Sequence, residues 1–174
     1  MEINNNKYDD LIKHYADCYD FNWKLIKMQT MVESQGNPEA VSNVGAKGLM
    51  QITDEVWANF GTGDIFNPAD NIRAGCKYLQ WLNDKFSEIP EPQERYKFAL
   101  AAYNAGYDNI NELLQLAREA EGYPGSYFRW QESGEPEGKW QTWEFAQQFL
   151  PQVTEGKARE TINYVAKIMN GYYL

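Results

Sequence analysis

"FNPADNIRAGCKYLQWLNDKF", residues 66 to 86, holds the pattern that decides the fold. Ile72, Cys76, Leu79, Leu82 and Phe86 recur every three or four residues, which puts them on one face of an α-helix. Pro68 suits the first helical position, where an N–H would have no partner, and Pro90 and Pro92 break the run. The same period continues in both directions. Downstream, residues 93–105 form a helix rich in alanine (Ala99, Ala101, Ala102, Ala105) that ends at Gly106, and "DNINELLQLAREA" starts the next from Asp108. Residues 142–150 read as a short helix ended by Pro151. "KARETINYVAKIMNGYY" reads as the last, with Ile162, Val165, Ala166 and Met169 inward. Upstream, Tyr8, Leu11, Ile12 and Tyr15 mark a first helix, and Asn22 caps a second carrying Leu25, Ile26, Gln29 and Val32. Strand alternation is confined to a short stretch near 123–130, and no segment repeats. The expectation is one all-α domain over residues 1–174.

Composition excludes several functions. The net charge is −9, and the sixteen Lys and Arg residues are scattered rather than gathered in a basic stripe, so nucleic acid is not an expected partner. Two cysteines, Cys18 and Cys76, are too few for a disulfide scaffold or a Cys-based zinc site, and Cys76 falls on the apolar face of its helix as a buried free thiol. The single histidine, His14, has no second His or Cys at ligand spacing. No metal and no cofactor are therefore expected, and any chemistry must run on carboxylates, hydroxyls and amides. Residues 1–20 are polar and no apolar run approaches a spanning length, so neither a leader nor a membrane segment is expected in the chain.

A carboxylate in an unusual place supplies the chemistry. The second helix must stop near Gly36, because "NP" at Asn37 and Pro38 cannot continue it, and this leaves Glu33 in the last turn. There the negative end of the helix dipole disfavours ionisation, and partial burial disfavours it further. A carboxyl that stays protonated near neutrality can act as a general acid. The bland alternative is a solvated helix-end Glu. The run that follows, "NVGAKGLMQI", carries glycines that let backbone approach a ligand, and Ser42 and Gln51 are neutral groups able to orient a carboxyl without forcing it to ionise. Thr53 opens a further helix with Asp54 and Glu55 in its first turn. The longest loop, 122–141, gathers Tyr123, Tyr127, Phe128, Trp130 and Trp140 without helical period, and is expected to line or cover one end of a sugar-binding cleft.

"ESQGNPEAVSNVGAKGLMQI", "FNPADNIRAGCKYL", "ALAAYNAG" and "ETINYV" resemble, in order and spacing, the four successive motifs of the lysozyme-like lytic transglycosylase domain, from about residue 7 to 173. The opening segment and the stretch between "YNAG" and "ETINYV" are most similar to the membrane-bound F branch of that family. The resemblance implies a compact helical domain with an elongated glycan-binding cleft, peptidoglycan glycan strands as the substrate, a monomer, and a place in the cell envelope. It implies that Glu33 is the catalytic acid and base, with Ser42 on its substrate side and Gln51 lining the cleft. Tyr103 would approach the catalytic carboxyl, Asn104 would shape the same wall, Glu160 would be a second acid in the cleft, and Tyr164 would support it. Each has a plainer alternative: Tyr103 as a core aromatic, Asn104 as a helix-end cap, Glu160 as a first-turn charge favoured by the dipole. Thr53 departs from the Met or Leu that the family often carries after "GLMQI". The implied reaction is a non-hydrolytic cleavage between N-acetylmuramic acid and N-acetylglucosamine. The rival is a hydrolytic muramidase, for which Asp64, Asp70 and Glu144 are the candidate water-activating carboxylates.

Overall fold

Helices account for the regular structure in the computed structural model, which describes residues 6–122 and 138–172. Among these residues no strand forms, and extended backbone pairs only as the isolated bridges Val41–Lys47 and Lys47–Ile52. The all-α reading holds. The chain divides into two units, residues 1–81 with 167–174, and residues 82–166.

In the first unit, α1 (Asp9–Cys18) buries Ile12 and Ala16. Asn22 caps α2 (Trp23–Ser34) as its side chain accepts from the Lys24 amide at 3.0 Å, a contact worth about 1 kcal/mol. Besides Leu25 and Ile26, α2 buries polar Lys27, Gln29 and Thr30. Lys27 pairs with Asp9 of α1, and Thr30 donates its hydroxyl back to the Ile26 carbonyl at 2.9 Å. The helix stops one residue earlier than the glycine suggests. Gln35 takes the left-handed cap at φ 56°, its amide bonding the Met31 carbonyl at 3.1 Å, and Gly36 follows at φ 78°. Thr53 caps α3 (Asp54–Phe60) by accepting from the Val56 amide. Before Pro68, Asn67 accepts from the amides of Ala69 and Asp70, so α4 (Pro68–Lys85) begins with both a cap and a proline at its first position. Within this unit α4 buries Asn71, Ile72, Ala74, Cys76 and Leu79. Burial raises the Cys76 thiol pKa far above its ordinary value, which keeps it a neutral core group.

The second unit is built on α5 (Pro92–Ala105), where Phe98 through Ala102 are all fully buried. A stretch buried on all its faces shows no apolar stripe, which is why small alanines rather than a period mark the middle of this helix. Gly106, at φ 93°, separates it from α6 (Tyr107–Ala120), whose Ile110, Leu113, Leu114 and Ala117 are buried. Phe98 meets the edge of Trp143, and Phe86 lies against Phe98 and Tyr107. Arg118 reaches Glu88 at 3.3 Å and lies 5.1 Å from the Trp140 ring centre.

Three expectations change here. Pro151 does not end a helix over 142–150. α7 (Trp143–Ala146) gives way to a 3₁₀ turn over Gln147–Phe149, and Pro151 sits in the first turn of α8 (Leu150–Val153), where its lack of an N–H is harmless. Trp140 is fully buried and belongs to the core, not to a cleft wall; Tyr123, Tyr127, Phe128 and Trp130 lie outside the described residues. In α9 (Ala158–Tyr172) the inward face is Thr161, Tyr164, Val165, Ile168 and Met169, while Ile162 is half-buried and Ala166 exposed. A threonine can hold the buried position because its hydroxyl finds the acceptors described below.

Candidate active site

Glu33 is half-buried in the last turn of α2, as the sequence predicts. The loop that follows is folded by side chains that bond its backbone. Ser42 closes a tight turn: its amide donates to the Ala46 carbonyl at 2.9 Å and its hydroxyl accepts from the Ala46 amide at 3.0 Å. Gln51 stands at φ 49°, a left-handed conformation that costs a residue with a Cβ about 1 kcal/mol or more. Its side-chain amide offsets that strain by donating to the carbonyls of Ala40 at 3.2 Å and Gly48 at 3.0 Å. The donor half of Gln51 therefore shapes the loop and is not spent on a carboxyl.

Two residues that sequence reasoning did not single out hold this loop. Asn71 of α4 is fully buried, and its amide makes three bonds at once: Oδ1 accepts from the Met50 amide at 2.7 Å, and Nδ2 donates to the carbonyls of Lys47 at 3.1 Å and Ile65 at 2.8 Å. Gly48, at φ 76°, passes so close that a Cβ there would lie 2.3 Å from Asn71 Nδ2. Ser34 is the second. Its hydroxyl donates to the Leu49 carbonyl at 2.8 Å and accepts from the Gly36 amide at 3.2 Å. The signal available in the sequence was the "NP-x-x-N" spacing from Asn67 to Asn71, with a polar residue on an otherwise apolar helix face.

Glu33, Ser42 and Gln51 belong to the first unit, and Tyr103, Asn104, Glu160 and Tyr164 to the second. Tyr103 and Asn104 are half-buried near the end of α5. Asn104 Oδ1 accepts from the buried Thr161 hydroxyl at 2.8 Å, so Asn104 ties α5 to α9 and is not a helix-end cap. Thr161 also lies 3.3 Å from the Lys157 carbonyl; its single proton goes to the nearer oxygen, on Asn104. Glu160 is exposed in the first turn of α9, where the dipole favours its charge, and Tyr164 is buried one turn further along. Of the candidate water-activating acids, Asp70 accepts from Arg73 at 2.9 Å and from the Asp64 amide at 3.1 Å, Asp64 accepts from the Phe66 amide at 3.0 Å, and Glu144 is exposed in α7. Among the described residues, no group of three or more His, Cys, Asp or Glu is placed to hold a metal ion.

Comparisons with known proteins bear on this arrangement. The Transglycosylase SLT domain family matches residues 10–124. A relative from Desulfosudis oleivorans named membrane-bound lytic murein transglycosylase F is 33% identical over 168 residues, covering 95% of this chain and 36% of its own length. A relative of the same name from Yersinia pestis is 35% identical over 164 residues, covering 92% of this chain and 32% of its own length. The chain thus spans about a third of the length of these relatives. Among solved structures, an inactive mutant of lytic transglycosylase Slt from Pseudomonas aeruginosa superposes with a TM-score of 0.68 at 21% identity, over 97% of this chain and 24% of that one. The 70 kDa soluble lytic transglycosylase of Escherichia coli gives 0.64 at 24% identity, over 95% and 23%. These two share the helical fold. Given the family match over residues 10–124, which includes the helix carrying Glu33 and the loop behind it, the chain belongs to the Transglycosylase SLT domain family.

Proposed function

We propose that this chain is a peptidoglycan lytic transglycosylase domain, cleaving the β-1,4 bond between N-acetylmuramic acid and N-acetylglucosamine without water. The observation that carries the reading is a half-buried Glu33 in the last turn of α2, followed by a loop built from neutral hydrogen-bonding groups, in a chain of this family. The names of the relatives, lytic murein transglycosylases, support it.

In the proposed reaction Glu33 gives its proton to the bridging oxygen as the glycosidic bond breaks, and the muramic N-acetyl group stabilises the positive anomeric carbon. Glu33, now a carboxylate, takes the proton of the 6-hydroxyl on the same sugar, whose oxygen closes a 1,6-anhydro ring. One acid serves both steps, and no nucleophilic or water-activating carboxylate is needed. Asp64 and Asp70 are engaged with backbone amides and Arg73, which agrees with a path that does not use them. The tethered 6-hydroxyl competes at an effective molarity of roughly 10⁵ M or more, far above the concentration of water, so ring closure wins even where water enters. Ser42, Gln51, Tyr103, Asn104, Glu160 and Tyr164 are proposed to line or support the glycan site, with Ser42, Gln51 and Asn104 acting by fixing backbone and helix positions. An envelope location goes with this substrate. Among the described residues no helix is long and apolar enough to cross a membrane, whereas the relatives are named membrane-bound.

Digestion of purified peptidoglycan in heavy-oxygen water tests the reading. Fragments are expected to end in 1,6-anhydromuramic acid, to resist borohydride and to carry no label. Label in most new termini would make the chain a muramidase on the same fold.

A further inference from the structure

The last residue of α2 is bonded through its side chain to the loop behind the helix. Ser34, the last residue of α2 and the neighbour of Glu33, is buried, and its hydroxyl is saturated. It has two acceptors for one proton, the Leu49 carbonyl at 2.8 Å and the Thr30 carbonyl at 3.2 Å, and the shorter contact reaches out of the helix to the loop. The oxygen meanwhile accepts from the Gly36 amide at 3.2 Å, two residues on. One hydroxyl therefore joins the last helical turn, the left-handed exit and the loop.

The loop end of that bond does not yield. The residue after Leu49, Met50, gives its amide to Asn71 Oδ1 at 2.7 Å, and Asn71 grips the loop again through the Lys47 carbonyl at 3.1 Å. The Met50 side chain is buried, its sulfur 3.0 Å from the Thr30 hydroxyl, and it packs so closely on α4 that a Cβ on Gly75 would lie 2.8 Å from its Cβ. Residues 47–50 are thus wedged between α2 and α4. The last turn of α2 is otherwise closed by short-range bonds, the Met31 carbonyl to the Gln35 amide at 3.1 Å and the Ser34 carbonyl to the Asn37 amide at 3.0 Å, whereas the Ser34 hydroxyl reaches the loop itself.

We propose that Ser34 is a positioning residue for the Glu33 carboxyl, holding the last turn of α2 against the Leu49 carbonyl of a loop clamped by Asn71. This rests on the assignment of Glu33 as the acid and base. Because Glu33 must first protonate the bridging oxygen, which leaves with N-acetylglucosamine, and then take the proton of the muramic 6-hydroxyl, a shift of the turn by a fraction of an ångström acts on the chemical step and not on glycan binding.

The test compares Ser34→Ala, Ser34→Thr and Ser34→Val in the full chain, with Glu33→Gln alongside. Each is measured for kcat and KM on soluble glycan strands and for thermal unfolding. Ser34→Ala is expected to lower kcat roughly ten- to hundredfold with KM within about twofold and the fold retained. Ser34→Thr, which keeps the hydroxyl, is expected to recover most of the loss, and Ser34→Val, of the same size without it, is not. The proposal is overturned if folded Ser34→Ala keeps kcat within about twofold of wild type, or if folded Ser34→Thr fails to outperform it. Should the branched variants not fold, Ser34→Ala alone decides. A Glu33→Gln variant that remains active removes the functional reading itself, whereas an inactive Glu33→Gln beside a fully active Ser34→Ala removes only the role of Ser34.

Discussion

The loop after α2, residues 36–53, and the run of short helical turns before α9, residues 138–157, are held by different chemistry. In the first, neutral amides and hydroxyls bond backbone: Gln51 to Ala40 and Gly48, Asn71 to Lys47, Met50 and Ile65, Ser34 to Leu49. Its ion pair, Lys47 with Asp54, lies at the surface, where such pairs contribute little. In the second, carboxylates do the fastening. Glu121 accepts from the Trp140 amide and Glu94 from the Trp143 amide, each at 2.7 Å, and the Glu88 carbonyl accepts from Gln141 while its carboxylate faces Arg118. A neutral frame keeps its shape whether or not the nearby Glu33 holds a proton. A charged frame depends on pH.

Four experiments break or sharpen that contrast. The largest effect is expected for Glu33→Gln, which keeps size and hydrogen bonding but cannot deliver a proton. Lysis should fall by about 10²- to 10⁴-fold or more with unfolding unchanged, and retention of a tenth of wild-type activity would sink the assignment. Gly48→Ala attacks the neutral frame. The new methyl would meet Asn71 Nδ2 at 2.3 Å and the Ile65 carbonyl oxygen at 2.9 Å in a left-handed conformation, so denaturant unfolding should show a loss of about 3 to 4 kcal/mol at any pH where the protein is folded.

Arg118→Met attacks the charged frame. Burial already raises the Glu88 carboxyl above its ordinary pKa, while the Arg118 charge and hydrogen bond pull it back down. A raised folded pKa means that ionisation of Glu88 opposes folding: its contribution is fully present below the unfolded pKa and is lost as pH rises through the folded one. Without Arg118 the rise grows, so the variant should lose about 3 kcal/mol at neutral pH and regain part of it on acidification toward the carboxylate range. A loss independent of pH, measured by denaturant titration, would mean that packing on Trp140 is what Arg118 supplies. The smallest effect concerns the thiols. Cys18 is exposed and Cys76 buried, so a thiol reagent should modify Cys18 in the native protein and Cys76 only on unfolding, as mass analysis of the labelled peptides would show.

The sequence makes plain those features whose causes lie within a turn or two. Asn22, Thr53 and Gly106 mark helix ends where the structure has them, and the spacing from Ile72 to Leu79 marks a buried face, because caps and stripes are local. Position of Glu33 in the last turn of α2 follows from the same local rules. What could not be read depends on partners far along the chain. Asn71 bonds residues 21 and 24 positions away, and Ser34 one 15 away, so each looks like an ordinary polar residue until the fold supplies its acceptors. Trp140 differs from the expectation for a related reason: it lies in a stretch without apolar period, and what holds it in the core, Arg118 beside its ring and the Glu121 carboxylate on its backbone amide, comes from far back along the chain. Pro151 shows a local rule used in the wrong direction, since proline opens a helical turn as readily as it closes one.

The bond between the Glu121 carboxylate and the Trp140 amide has a consequence for how such chains diversify. It joins the end of α6 directly to the segment that leads into α7, across the positions between Glu121 and Trp140. With that bond formed, the entropy of closing the intervening chain grows only with the logarithm of its length, about 0.6 kcal/mol for each doubling. A graft of different length between Glu121 and Trp140 is therefore expected to leave α6 and α7 in place, which makes this position one where a chain of this family can take on new surface without disturbing its helices.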